Sequence, residues 1–412
     1  MKFTKIILIC QVAILGGTIN LNSQTLDTII SGISLNRLQQ YENYIKKEIN
    51  EGKIPGAVAM VSRNGKIVYN ESFGYRNLEE KIAMEKDDLF SLASMTKPII
   101  SVAFMMLYEE GHFSLKDPVS MYLPKFKDLV VTLNEEKGKE GETEPLNREI
   151  TIADLLSHTS GMSHGGGSSK LEQDFKSARY RKHNTILSRV NSYMEIPLTS
   201  QPGAQFYYSA APDVLSVLIE QFSGLSTDEF LKKRLFLPLE MNDTGYNIAP
   251  VNQYRRVELH EQNKEGILMN SATKSQLPMS GNTIWAGTSG LFTSASDYLK
   301  FCQMLLNKGE SNGHRFLSRK TIDLMTMNQI GDLALKRMQG HKFGLGFAVV
   351  TDVAATKVLG SEGVYFWGGA FNTHFFIDPK EKIVAVFMTQ IASFSWEYHN
   401  KLQQMIYQAI ID

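Results

Sequence analysis

Phe90-Ser91-Leu92-Ala93-Ser94-Met95-Thr96-Lys97 leads into residues 99–108 (IISVAFMMLY), an apolar run long enough for a buried helix. Ser94 and Lys97 stand one helical turn apart. Positions i and i+3 share a helix face, so the ammonium can reach the hydroxyl. A serine hydroxyl is a poor nucleophile until a neighbouring base takes its proton. Ser94 would also stand at the N-terminus of that helix, where free amide N–H groups and the helix dipole favour a developing oxyanion. Alone, Ser-x-x-Lys is a common pattern, and its ordinary reading is an N-cap serine followed by a surface lysine.

Periodicity places this pair in a larger frame. Ser34 caps a helix with Leu35, Leu38, Tyr41, Ile45 and Ile49 on one stripe. Residues 57–62, 66–71 and the stretch near Phe90 read as strands, with Arg63-Asn64-Gly65-Lys66 as a hairpin turn. Helical patterns follow at 98–110, 152–157, 213–222 and 297–307, with Met105 and Met106 as core packing. Strands return at 344–351, 373–377 and 382–389, and a helix over 396–410 closes the chain. Strands at both ends with helices between predict an α/β (α+β) architecture. The two ends form one antiparallel sheet lobe with flanking helices (about 24–93 and 285–412), and 94–284 form a mostly helical lobe. The cleft between them is the expected site. Residues 134–147 (NEEKGKEGETEPLN) read as an exposed loop, and 176–182 (KSARYRK) as a solvated helix face.

Composition narrows the function. Lys+Arg and Asp+Glu both number 43, so no net field draws in nucleic acid. No phosphate-binding glycine loop is present, and the nine histidines are scattered, with no H-E-x-x-H motif. Neither metal nor other cofactor is expected. Lys2 and Lys5 precede a short apolar run, 6–17, and a polar stretch ending near Ser23-Gln24. This is the layout of a secretory signal peptide over 1–23, too short for a stable membrane span, and it predicts an exported, periplasmic or secreted protein of residues 24–412. Cys10 lacks the small residue that precedes a lipid-modified cysteine, and cleavage would leave Cys302 as the sole cysteine.

Further blocks resemble the active-site-serine β-lactamases and penicillin-binding proteins, in the same order along the chain. Ile54-Pro55-Gly56-Ala57-Val58 and Gly65-Lys66-Ile67-Val68 are similar to that superfamily's opening strands. Leu155-Leu156-Ser157-His158-Thr159-Ser160-Gly161-Met162 resembles its most recognisable non-catalytic signature. Pro202-Gly203-Ala204-Gln205-Phe206-Tyr207-Tyr208-Ser209, Gly287-Thr288-Ser289-Gly290-Leu291 and Trp367-Gly368-Gly369 resemble three later blocks. The resemblance implies a β-lactamase/transpeptidase-like fold and a Ser94, Lys97 and Tyr208 catalytic set. Whether Lys97 or Tyr208 is the formal base stays open, since coupled groups titrate as a pair. By the same resemblance, the backbone N–H groups of Ser94 and Ala370 form the oxyanion hole. Gly368 and Gly369 let the backbone approach the acyl carbonyl.

Two departures from the family pattern bear on substrate. Tyr208-Ser209-Ala210 stands where Tyr-Ser-Asn or Tyr-Ala-Asn is usual, removing a side-chain amide. Trp367-Gly368-Gly369 stands where β-lactamases carry Lys-Thr-Gly or His-x-Gly, replacing a cation with a flat apolar wall. That variant is similar to the β-lactamase-like carboxylesterases of the family VIII type. It implies a carboxylesterase on small acyl esters, a small-molecule substrate held through a Ser94 acyl-enzyme. Acyl transfer to an alcohol or amine acceptor, a class C-like β-lactamase and a penicillin-binding or sensing protein are the alternatives. By the same resemblance His158 holds the loop beneath the site. His164 with Gly165-Gly166-Gly167 reads as part of a mobile rim loop. Tyr365, Phe366 and Trp285 are further candidates to line the pocket.

Overall fold

The computed structural model describes residues 27–271, 278–336 and 338–412. The expected signal segment, with Cys10, lies outside them. Helix α1 (Leu35–Asn50) starts where Ser34 accepts a hydrogen bond from the Arg37 N–H, and it buries Leu38, Tyr41 and Ile45. Strands β1 (Gly56–Arg63) and β2 (Lys66–Asn77) form a hairpin turning at Asn64 and Gly65, whose φ angles are 53° and 75°. That pair of left-handed residues is what a type I′ turn demands. A short strand β3 (Ile82–Ala83) extends the sheet edge.

The chain then leaves the sheet. Helix α2 (Thr96–Glu109) is buried from Thr96 to Leu107. Being apolar on all sides, it is a core helix rather than an amphipathic surface one. Around it stand α3 (Ile152–Leu156), α4 (Lys170–Tyr180), α5 (Ile186–Tyr193) and α6 (Ala211–Ser223). Helix α7 (Ala295–Leu306) leads back to the sheet. Strands β4 (His341–Phe343), β5 (Ala348–Val350), β6 (Tyr365–Gly369), β7 (Thr373–Asp378) and β8 (Ile383–Met388) follow, then helix α8 (Trp396–Tyr407).

All eight strands make one antiparallel sheet in the order β4-β5-β6-β7-β8-β1-β2-β3. Its two sequence halves meet where β8 pairs with β1, from Ile383 opposite Arg63 to Met388 opposite Val58. Neighbouring residues of β7 show how both faces are covered. The Phe375 ring packs on Tyr298 of α7 and the Phe376 ring on Tyr407 of α8. Sheet and helices share one continuous apolar core, so β1, covered on both faces, is buried at every position.

Local departures from the sequence reading have local causes. The stretch 344–351 is not one strand but the turn and second arm of the β4–β5 hairpin. Gly346 takes φ 96°, and a side chain at Gly344 would strike the Met325 carbonyl. Strand β6, which carries Trp367-Gly368-Gly369, is a strand that periodicity did not announce. Residues 134–147 are exposed but ordered. A two-strand ribbon (Val130–Thr132 with Thr143–Pro145) brackets a 3₁₀ turn over Glu135–Glu140.

Candidate active site

Ser94 lies on a 3₁₀ turn, Ala93–Met95, immediately before α2, and Lys97 occupies the first turn of that helix. Ala93 holds φ 44°, a costly conformation for a residue with a Cβ, of the kind found where a turn presents a reactive group. Lys97 is only 2% exposed, which overturns the surface-lysine reading of the motif. Its Nζ lies 3.0 Å from Ser94 Oγ and donates to the Thr288 carbonyl at 3.0 Å. Burial drives the lysine well below its ordinary pKa, the Arg179 charge lowers it further, and Asp213 acts in the opposite direction.

Tyr208 stands on the far side of Lys97, whose Nζ is 4.6 Å from the centre of its ring. Its hydroxyl interacts with Ser94 and accepts a hydrogen bond from Trp367 Nε1 at 3.3 Å. Burial pushes the phenol up to about 12, against the lowering influence of Ser94, Trp367 and Arg179. The Ser94, Lys97 and Tyr208 side chains therefore converge. Trp367 closes the group as an aromatic wall between Phe343 and Trp396.

The β6 glycines serve packing. A Cβ on Gly369 would meet the Leu92 carbonyl at 2.3 Å, and one on Gly368 would meet His374 Nδ1 at 2.9 Å. Neighbouring protein atoms thus leave no space for a side chain at either position. Gly369 brings β6 against the turn that carries Ser94, and Ala370 follows it, exposed. Among the described residues no backbone carbonyl accepts a hydrogen bond from the N–H of Ser94 or Ala370. Tyr365 is buried against Phe347, and Phe366 stacks on His399 of α8, so neither lines the group around Ser94. Trp285 packs on Tyr246.

His158, at φ 57°, acts as a bracket. Its carbonyl accepts from the Tyr207 N–H at 2.8 Å, and its Nδ1 accepts from the Ser209 N–H at 3.2 Å. It thereby fixes the segment that presents Tyr208. Burial and the Lys97 charge hold its pKa well down. The rim segment is tied rather than loose. Glu172 accepts from the Gly166 N–H at 2.7 Å, the Gly167 N–H at 3.0 Å, Ser163 Oγ at 2.5 Å and Tyr207 Oη at 2.9 Å.

Behind Lys97 lies a buried ionic network that the sequence reading missed. Asp213 Oδ1 accepts from the Thr288 N–H at 2.8 Å and Thr288 Oγ1 at 2.7 Å, and Oδ2 accepts from Tyr193 Oη at 2.6 Å. Arg189 Nε is 3.4 Å from Asp213. Arg179 donates to Thr288 Oγ1 at 2.9 Å and to the His164 carbonyl at 2.9 Å. Its position corrects the view of 176–182 as a solvated face, because Arg179 is 4% exposed while Lys176 and Lys182 are exposed. The available signal was its place on the stripe of Leu171, Phe175 and Ala178.

A family model for beta-lactamase matches residues 41–407. Protein Rv1367c of Mycobacterium tuberculosis (strain ATCC 25618 / H37Rv) is 30% identical over 357 residues, covering 84% of this chain and 88% of the relative. Esterase EstB of Burkholderia gladioli is 28% identical over 363 residues, covering 84% and 88%. Among solved structures, EstCE1, described as a hydrolase with promiscuous acyltransferase activity, superposes with a TM-score of 0.78 at 24% identity. The match covers 90% of this chain and 98% of EstCE1. With the family model spanning nearly the whole described chain, the protein belongs to the beta-lactamase family and is a serine hydrolase.

Proposed function

We propose that the protein is a carboxylesterase acting on esters of small acyl groups through an acyl-enzyme on Ser94. The observation that carries this reading is the buried Lys97 amine 3.0 Å from Ser94 Oγ, with no carboxylate bonded to it among the described residues. A lysine whose charged form is penalised by burial serves as a base near neutral pH. Tyr208, raised by burial, stays a neutral phenol and passes protons between Ser94, Lys97 and the leaving group. Ser94 Oγ attacks the acyl carbonyl as its proton moves to Lys97. The N–H groups of Ser94 and Ala370 receive the oxyanion, and the leaving alkoxide departs with a proton from the Lys97/Tyr208 pair. Water then repeats the sequence on the acyl-serine and frees the acid.

Support for an ester rather than a β-lactam substrate comes from Trp367 and Ala210. Trp367 supplies an apolar wall where a carboxylate-binding cation would stand. Ala210 is fully buried at the start of α6, with its N–H on the Ser163 carbonyl. A site lacking the groups that pair with a polar substrate does not select for it. Acyl transfer to an alcohol is the second reading, favoured by the likeness to EstCE1. The test is intact-mass spectrometry during incubation with p-nitrophenyl butyrate. A transient butyryl adduct on Ser94 with continuing nitrophenol release, both absent in Ser94→Ala, is the expected result. Addition of alcohols then separates transfer from hydrolysis. Equal turnover of a chromogenic cephalosporin would reverse the substrate assignment.

A further inference from the structure

We infer that Arg179 and Asp213 act as an opposed pair of positioning residues on Lys97, joined through Thr288, an inference that rests on the Ser94–Lys97 reading proposed above. Thr288 is where the three charged side chains meet. Its carbonyl takes the Lys97 amine, its hydroxyl takes Arg179, and its N–H and hydroxyl both go to Asp213. Glycine at 287 makes the meeting possible, since a Cβ there would lie 1.9 Å from the Pro212 carbonyl at the start of α6. The two ions thus reach Lys97 from separate helices, α4 and α6, and neither touches its nitrogen.

The remaining groups around the amine are neutral or already engaged. Ser94 and Tyr208 are uncharged hydroxyls. His158 and His164 are held neutral by burial, reinforced by the nearby lysine and, at His164, foremost by Arg179. His164 Nδ1 accepts from Arg179 at 2.5 Å, which places its own proton on Nε2. Asp213 is occupied by Tyr193, Arg189 and Thr288, so it moderates the positive charge on Lys97 without forming an ion pair with it. Arg179, permanently charged, works the other way and favours the free amine that Ser94 requires. Their balance places Lys97 where it can accept a proton and release it within one catalytic cycle.

The test compares Arg179→Gln, Arg179→Lys and Asp213→Asn in the full chain. Two readouts are used: the pH profile of kcat/KM with p-nitrophenyl butyrate, and the titration of the Lys97 side-chain nitrogen by ¹⁵N NMR in a Ser94→Ala background. Loss of the guanidinium in Arg179→Gln should move the acid limb and the nitrogen titration up by about one pH unit. The variant is then about tenfold slower below the limb and recovers above it. Arg179→Lys keeps the charge and should restore most of the shift. Asp213→Asn should move both in the opposite direction. Uniform losses at all pH values, or displacement of both variants in one direction, would overturn the inference. If Asp213→Asn fails to fold with its arginines unpaired, the Arg179→Gln and Arg179→Lys pair still decides. The nitrogen titration does not need turnover. Full activity in Ser94→Ala would therefore sink the acyl-enzyme reading while leaving the charge effect separately measured.

Discussion

Tyr208 takes a hydrogen bond from the Trp367 indole, interacts with Ser94 and lies beside the Lys97 amine. Removing its hydroxyl leaves ring packing against His158, His164 and Trp367 unchanged, so Tyr208→Phe isolates the proton-carrying role. A loss of about 10²- to 10⁴-fold in kcat, with KM little altered and an unchanged Tm, is the expected outcome. Full activity would remove Tyr208 from the mechanism. Ala210 poses the converse question. It is enclosed at the start of α6, so restoring the family amide in Ala210→Asn overpacks the core. The variant should lose about 1–3 kcal/mol of stability in chemical denaturation and gain no cephalosporin turnover. A stable Ala210→Asn enzyme that opens β-lactams would show that the missing amide alone sets substrate choice.

Between residue and molecule stand the segments that Glu172 binds together. One carboxylate of α4 holds the 163–167 rim by two backbone N–H groups and a serine, and holds the Tyr207 neighbour of Tyr208 by its phenol. These four bonds hold its pKa below the usual carboxylate range despite burial. Glu172→Gln keeps the shape but turns charged acceptors into one neutral oxygen and one donor. It should cost about 2 kcal/mol and raise hydrogen exchange at Gly166 and Gly167, with kcat falling because Tyr208 is less well held. Unchanged exchange at those amides would show that the rim is held by other contacts. Elements also mark how far the sequence could be read. Asn64-Gly65 announces its hairpin because only one turn type suits that pair, and the α1 stripe declares its buried face. Ser94 and Lys97 were legible because their chemistry depends on a spacing of three residues, kept across the 3₁₀ turn that leads into α2. Arg179, Asp213 and Thr288 were not read as a group, since their partnership spans α4, α6 and the 287–291 segment; the stripe of Leu171, Phe175 and Ala178 marks Arg179 as buried but does not name its partners.

At the scale of the whole molecule, the sheet closes only when β8, near the end of the chain, pairs with β1 near its beginning. Arg63 strengthens that closure by reaching Glu381 at 3.0 Å and Asp412 at 2.7 Å. The core sealed by this closure contains several imidazoles. His158 and His399 are held well below the ordinary histidine pKa, and His374 falls to about 3, in each case chiefly through burial. Their folded pKa values lie below the unfolded value of about 6.5, so between the two the unfolded chain binds more protons than the folded one. Stability is therefore complete above pH 6.5 and declines as pH falls below it. Each imidazole still neutral in the fold contributes about 1.4 kcal/mol per pH unit to that decline. Asp88 opposes one of them, because burial raises it to about 6 and its folded form takes up a proton over part of the same range. Asp154, Glu172 and Asp213, all lowered, add to the loss only below about pH 4. Tm measured from pH 8 to pH 5 should thus begin to fall near 6.5, well before the lowered carboxylates Asp154, Glu172 and Asp213 titrate. His399→Phe, which keeps an aromatic ring stacked on Phe366, should make the fall shallower by about one proton's worth. A Tm flat to pH 5, or a slope untouched by that substitution, would mean that these imidazoles take up protons in the folded state as readily as in the unfolded one.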